Sequence, residues 1–510
     1  MPATDAYIGL LTRIPGITEP VQRPTFKSKL KWTGLILVLY FTMAQITVHG
    51  VAPGTFEQLR YLEILLGSSF GSLMTLGIGP IVTASIVLQL MVGSKIIPWD
   101  LRTETGKMLF QGTQKLLAIL LSFVEAAIYV LLGAVSAQPG FAGIVILQLA
   151  LGGVMVIFMD EVISKWGFGS GISLFIVAGV SKTIIVRMFN PLTQAGALPT
   201  AGNPPAGIIP FMITSIGTGE PFLALLSMLP IVATILVFLL VVYANAIRVE
   251  IPLAFGSVRG FGRRWPLKYF YTSNIPVILV AALLANVQLF GRMMANQGWS
   301  WLAQLDSQGN ISGGLVYFLV PPSNQALSIL MITVGVFALI GAIVTYYTKR
   351  EGIRLVVVFG ALGGLAWFAL VSATGLTSLM NIPALDVVRV VTYSLFMIGG
   401  ATLFAIFWVT TAGMDAKAVA GQIQSTGMQI PGYRRDIRII ERVLNRYIPG
   451  LTILGGASVG FLASYADFTG ALGTGTGILL ATLIIQNLYE ELAMRHMEDM
   501  HPAVRKLFGR

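Results

Sequence analysis

Apolar residues along this chain run in long unbroken blocks separated by short charged joints. The blocks fall near 32–50, 72–93, 111–134, 141–162, 170–188, 222–246, 272–291, 326–347, 354–376, 387–412, 450–467 and 472–492. Most reach or approach the ~20 residues that a helix needs to cross a hydrocarbon core. Strands of a membrane barrel would alternate apolar and polar residues with period two, and these blocks do not. The pattern predicts an all-α polytopic membrane protein with the 12 blocks as its transmembrane helices.

The joints divide the chain. Residues 1–31 precede the first block, and 494–510 follow the last. The blocks form an N-terminal half, 32–188, and a C-terminal half, 222–493. Between them 189–221, opening NPLTQAGALPTAGNPPAG, reads as an irregular surface loop because Pro and Gly punctuate it. The polar segment 292–325 reads likewise. Two joints, 247–271 and 413–449, are long and basic.

Composition agrees with the pattern. Of 510 residues 55% are hydrophobic and only 11% charged, too few to cover a soluble surface of this size. Mean hydropathy is +0.80. The net charge of +11 matters through its placement. Arg13, Arg23, Lys27, Lys29 and Lys31 precede the first block against Asp5 and Glu19. Alternate joints carry Lys95, Arg102 and Lys107, then Arg248 and Lys268, then Lys349 and Arg354, then Lys417, Arg438, Arg442 and Arg446. The intervening segments 135–140, 189–221 and 377–386 hold no Lys or Arg. Positive charge stays on the cytoplasmic side, so both termini are expected in the cytoplasm of a multi-pass cell-membrane protein. The first 30 or so residues hold no signal peptide, since YIGLL is short and Arg13 and Pro15 follow it; the first span is expected to direct its own insertion.

Catalytic chemistry finds no foothold. There is no cysteine, which excludes disulfides and thiolates. His496 and His501 are five apart, not the i,i+4 of a zinc helix. GTGTG at 473–477 lacks the Lys-Ser/Thr of a phosphate loop, and TGKM at 105–108 lacks the glycines before it. Asp160 and Glu161 end a span and read as an interfacial pair. No enzyme, cofactor or metal is expected.

The stretch 57–93 breaks the pattern. In EQLRYLEILL, Leu59, Leu62, Leu65 and Leu66 sit at helical spacing opposite Glu57, Gln58, Arg60 and Glu63. Ten residues make ~15 Å of helix, half a bilayer. GSSFGS then permits a bend. Two readings stand: a re-entrant element filling a cavity, or a helix lying on the outer surface. The next span weakens its own ladder with Gly77, Gly79 and Pro80, and then presents Ile78 and Val82 at i,i+4. Close packing of helices through small residues is the plainer reading. The grammar recurs in GFGSGISLFIVAG with Ile172 and Ile176, in YTSNIPVILVAALLANVQL with Ile278, and in GALGTGTGILLATL with Leu480.

Taken with PTFKSKLKWTG, LGIGPIVTASIVLQLMVGSKII, FWVTTAGMDAKAVAGQI and RYIPGLTILGGASVGFLA, these segments resemble the SecY family in its archaeal form, in the right order over nearly the whole chain. The resemblance implies the central subunit of a Sec protein-conducting channel: ten spans in two pseudo-symmetric halves around an hourglass pore. It implies a pore ring of Ile78, Val82, Ile172, Ile176, Ile278 and Leu480. It implies a plug near 57–70, with Glu57, Leu59, Tyr61, Leu62, Ile64, Leu65, Leu66, Ser68 and Ser69, and a lateral gate toward membrane lipid with Thr83, Glu125 and Asn286 as its polar cluster. Ribosome docking would fall to Arg259, Arg263, Arg264, Arg434 and Arg435, although the positive-inside rule alone also explains basic residues there. The implied partners are a SecE-type gamma subunit, a small beta subunit, the ribosome, and signal sequences with nascent polypeptides.

The chain departs from the family in carrying twelve blocks for ten spans. The excess pair, 326–376, is joined by YYTKREGIR and lies in sequence beside the expected gate. A secondary transporter is the competing reading, since broken helices occur there too. A transporter would gather polar groups at the midplane, where the expected ring here is aliphatic.

Overall fold

The computed structural model describes residues 2–22, 24–52, 69–101, 103–193, 197–200, 202–255, 262–272, 274–306, 309–348, 352–374, 382–425, 428–429 and 436–495. Each of the twelve apolar blocks falls on a helix. The N-terminal half holds α1 (Pro2–Leu11), α2 (Phe26–Met43), α3 (Gly79–Gly93), α4 (Glu104–Leu131), α5 (Ala142–Trp166) and α6 (Gly171–Phe189). Then come α7 (Ile208–Gly217), α8 (Pro221–Ser227), α9 (Leu229–Asn245), α10 (Ile275–Asn296), α11 (Gln325–Thr348), α12 (Gly352–Thr374) and α13 (Ala384–Thr411). The series closes with α14 (Ala416–Ser425), α15 (Ile437–Phe468) and α16 (Gly475–Arg495). Among the described residues eight helices are long and apolar enough to cross a membrane, taking α8 and α9 as one. With the shorter or more charged helices this is consistent with twelve spans.

Three differences from the sequence expectation have local causes. The block 72–93 becomes helical only at Gly79, because residues 69–78 are spent in turns. Gly71 and Gly77 adopt φ of +86° and +53° there, and Pro80 fits the first helical turn, where no amide hydrogen is required. The loop 189–221 is irregular only in part, for α7 occupies much of its second half. The basic joints 247–271 and 413–449 are not merely loops. Strand β1 (Arg248–Phe255) pairs antiparallel with β2 (Gly262–Lys268) on one edge and with β5 (Met428–Gln429) on the other. This sheet shares a small core with α14 and the first half of α15, built from Ile251, Leu267, Val419, Ile423, Ile440 and Leu444. A second ribbon, β3 (Gln304–Leu305) with β4 (Ile311–Gly313), precedes the 3-10 turn Val316–Leu319.

Helices from both halves meet in one core that includes Met74, Phe175, Phe270, Tyr393 and Phe404. Glycines set the closest approaches. A Cβ on Gly152 of α5 would lie 1.9 Å from the Leu73 carbonyl oxygen, so α5 touches the turns before α3 backbone to side. The added pair α11–α12 is knitted the same way, with Gly363 2.9 Å from Thr333 and Val334 backbone atoms by the same measure. α11 seats on α9 and α15. There Gly335 lies under Tyr465, whose hydroxyl donates to the Met331 carbonyl at 2.6 Å.

Candidate functional site

Helices α3, α6, α10 and α16, with Ile78 at the cap just before α3, deliver the six aliphatic residues singled out from the sequence. Ile78, Val82, Ile176, Ile278 and Leu480 are all 6% exposed or less and belong to one contiguous buried cluster. Ile172, partly buried, packs on it. Val82, Ile172 and Ile278 also line a cavity of about 430 Å³. The rest of its wall is mixed: Ser85, Gln89, Lys107, Gln111 and Gln114 stand among Leu101, Phe110, Leu279 and Trp408. The Gln89 amide donates to Ser85 Oγ at 2.9 Å, while its Oε1 accepts nothing among the described residues. The cavity thus combines aliphatic walls with scattered polar groups. Such walls cannot replace an ion's water shell, yet they impose no hydrogen-bonding demand on a passing chain.

The polar trio lies across α3, α4 and α10. Asn286 Nδ2 donates to Thr83 Oγ1 at 3.1 Å, and Glu125 hydrogen-bonds Thr83. The second Glu125 oxygen, Oε2, is buried without a hydrogen-bond partner among the described residues, 3.1 Å from where a Cβ on Gly79 would stand. Thr83 is therefore the joint between the two halves: its neighbours come from α4 on one side and α10 on the other. Further along, α3 packs on α13, with Gly93 under the Phe407 ring.

Of the residues assigned to a plug, Glu57, Leu59, Tyr61, Leu62, Ile64, Leu65, Leu66 and Ser68 lie outside the described residues. Ser69 is described. Its Oγ donates to the Ala44 carbonyl at 3.3 Å and its amide to the Met74 carbonyl at 3.1 Å. The segment that follows is pinned to the end of α2: Val48 N donates to Gly71 O at 2.9 Å and Leu73 N to Ile46 O at 3.0 Å.

Arg263 and Arg264 stand on β2, in register with Leu253 and Pro252 of β1, whereas Arg259, Arg434 and Arg435 lie outside the described residues. The sheet is tied to its surroundings. Lys268 pairs with Glu490 of α16 at 2.5 Å, and the Tyr271 hydroxyl donates to the Met414 carbonyl at 2.7 Å. Burial first, and the Asp415 charge second, push the Tyr271 hydroxyl up to about 12, so it remains a donor through the physiological range.

Four charged residues do structural work in the span region; the sequence pattern presents Asp160 and Glu161 as an interfacial pair and does not single out Asp467 or Arg389. Asp160 and Glu161 are not a pair. Asp160 Oδ1 accepts from Ile172 N at 2.9 Å, capping α6, while Glu161 takes Lys115 at 2.6 Å and Lys165 at 3.0 Å. Asp467 caps α16: its Oδ1 accepts from Thr476 N at 2.8 Å, and its Oδ2 accepts from the Thr476 hydroxyl and, at 2.7 Å, from the Tyr393 hydroxyl. Arg389 of α13, 7% exposed, lies 4.1 Å over the Tyr317 ring and bonds Asp386 Oδ1 at 3.1 Å and Val320 O at 3.0 Å. The available signal was an acidic residue closing one span just before a glycine-rich turn into the next.

Comparison with known proteins bears on what this arrangement serves. The SecY family model matches residues 72–489. The chain is 42% identical to the protein translocase subunit SecY of Methanothermobacter thermautotrophicus, over 98% of each chain. It also resembles a solved structure in which the plug domain of the SecY protein stabilises the closed state of the translocation channel and maintains a membrane seal. That match has TM-score 0.75 and 39% identity and covers 98% of this chain and 99% of the other. Sec61 in the canine ribosome–channel complex from the endoplasmic reticulum matches with TM-score 0.74 and 38% identity, over 98% and 99%.

Proposed function

The chain belongs to the SecY family, a protein-conducting channel subunit of the Sec translocase, and on that premise we propose how its own residues close and open the pore. The observation that carries the reading is the buried aliphatic cluster where α3, α6, α10 and α16 converge, three of whose residues line the adjoining cavity. Ile78, Val82, Ile172, Ile176, Ile278 and Leu480 form the constriction. At rest they touch one another and exclude water and ions. An extended polypeptide replaces these contacts with contacts to its own side chains, so any sequence passes at similar cost.

The gate toward lipid opens between α3–α4 and α10–α13. Thr83, Glu125 and Asn286 hold it shut, and a segment hydrophobic enough to prefer lipid offsets the loss of their hydrogen bonds. The plug, residues 57–70, seals the outer funnel, and its root at Ser69 is fastened to α2. Energy comes from a partner, because the chain offers no nucleotide-binding loop. The ribosome docks on the basic loops 247–271 and 413–449 through Arg259, Arg263, Arg264, Arg434 and Arg435. This agrees with the ribosome-bound state of the canine relative. Both termini lie in the cytoplasm, and a SecE-type subunit and a small beta subunit complete the complex. The chain itself performs no catalysis.

The test is photocrosslinking of a stalled secretory nascent chain to reactive residues replacing Val82 and Ile278, with a lipid-facing position on α12 as control. Adducts at both positions and none at the control are expected. With the ribosome bound and the channel assembled, no adducts at Val82 and Ile278 would move the path elsewhere.

A further inference from the structure

The two pore helices that enter the cluster from opposite halves are held by the same device. α5 runs into α6 through the glycine-rich turn WGFGSG, and α15 runs into α16 through TGALGTG. In each case a carboxylate near the end of the first helix reaches the backbone amides that open the second. Asp160 Oδ1 takes Ile172 N at 2.9 Å; Asp467 Oδ1 takes Thr476 N at 2.8 Å. In each case a glycine makes the approach feasible. A Cβ on Gly171 would fall 2.5 Å from Asp160 Cα, and one on Gly475 would fall 1.9 Å from the Ala466 carbonyl carbon.

The register of the two sites is also the same. Ile176 is four residues beyond the capped amide of Ile172, and Leu480 is four beyond that of Thr476. One helical turn therefore separates each carboxylate bond from the aliphatic residue that the helix sends into the cluster. A helix N-terminus carries amides that nothing within the helix can satisfy. Each carboxylate selects which amide sits opposite it, and so fixes the rotation and height of the helix. A slip of one residue would turn Ile176 or Leu480 about 100° away from the constriction.

The C-terminal site has one further partner. Tyr393 of α13 donates to Asp467 Oδ2 at 2.7 Å. α13 packs on both α3 and α10, with Gly400 against Val280. Asp467 is thus bonded at once to a gate helix and to a pore helix.

We propose that Asp160 and Asp467 are positioning residues that set the rotation of α6 and α16 and so close the aliphatic ring, and that the Tyr393–Asp467 bond transmits the movement of α13 to Leu480. The proposal rests on the ring reading given above, and the experiment separates the two.

The chain has no cysteine, so cysteines introduced at Ile176 and Leu480 are its only thiols, and crosslinking within this chain can join no other pair. A short and a long thiol-specific crosslinker are applied to the resting channel in lipid vesicles. The parent pair should react with both reagents. Asp467→Ala or Asp160→Ala should lower the short-reagent yield about tenfold, as expected for loss of an N-cap. The long-reagent yield should hold, showing that the helices remain adjacent. Asp467→Asn and Asp160→Asn keep an acceptor and should recover the yield to within about twofold. Tyr393→Phe, which removes one hydrogen bond inside the membrane, should cost about threefold. An unchanged short-reagent yield in both Ala variants would overturn the proposal while leaving the ring intact. A parent pair that reacts with neither reagent would overturn the ring and the proposal with it.

Discussion

Gly152 is where a single methyl group should unsettle the closed channel. A Cβ there would stand 1.9 Å from the Leu73 carbonyl oxygen and 2.9 Å from its carbon. About 1.5 Å of separation is needed before that contact becomes ordinary, as its carbon–oxygen pair must reach van der Waals distance. Neither side gives easily. One is the middle of α5; the other is backbone held by the Leu73 N–Ile46 O bond and the bridge between Thr47 and Ser72. Overpacking of this kind costs about 1–3 kcal/mol. The cost falls on the segment from Ser69 to Ile78, which leads from the proposed plug into the proposed ring. If the open state relaxes that contact, Gly152→Ala should shift the closed-to-open ratio by about 5–150-fold. Ion efflux from vesicles bearing the resting channel reads this directly. Gly143→Ala is the control, since it lies on the same helix with nothing within 4 Å of the new methyl. Equal leak from the two variants, with equal thermal stability, would refute the reasoning.

Other outcomes follow from the same geometry. Ile278→Asn puts an amide into the dry cluster and should raise resting ion leak and acceptance of weak signal sequences together; a tight channel would count against the ring. Asn286→Leu removes the bond to Thr83 and should ease lateral release of marginally hydrophobic segments by about threefold, read as the fraction inserted against a graded series of segments. Arg434→Glu with Arg435→Glu should weaken ribosome binding and flatten its dependence on salt; an unchanged slope in a binding titration would remove these residues from the contact. Arg389→Met leaves the partly buried Asp386 carboxylate with Asn324 Nδ2, at 3.3 Å, and should cost about 1–3 kcal/mol, seen as a lowered Tm. Adding Asp386→Leu should restore most of it.

The helices were legible because membrane spans announce themselves by uninterrupted apolar runs; the residues of the aliphatic cluster were singled out only through the family resemblance, since the glycines and proline beside them read equally well as close helix packing. The boundaries were less so. α15 begins at Ile437, well before its block at 450, because its first turns are amphipathic and pack on the sheet rather than on lipid. The sheet itself was invisible: β1 pairs with β5 across more than 170 residues of sequence, and no local pattern carries that information. The polar anchors were missed for a related reason. An aspartate that ends a span looks the same whether it faces headgroups, as Asp160 was expected to do, or folds back onto the next helix, as it does. Only the backbone path decides. The added pair α11–α12 shows the same limit, since its neighbour in sequence is the gate but its seat is α9 and α15.

The short pairing of β1 with β5 has a consequence for motion. Ala254 pairs with Gln429 and Phe255 with Met428, so the strand that follows α9 is joined to the strand that follows α14. The entropy lost in closing so long a loop grows only with the logarithm of its length, and the core shared by Ile251, Leu267, Val419, Ile423, Ile440 and Leu444 offsets it. The two joints therefore shift as one stiff lever, and a force applied to either is felt at the roots of both α10 and α15.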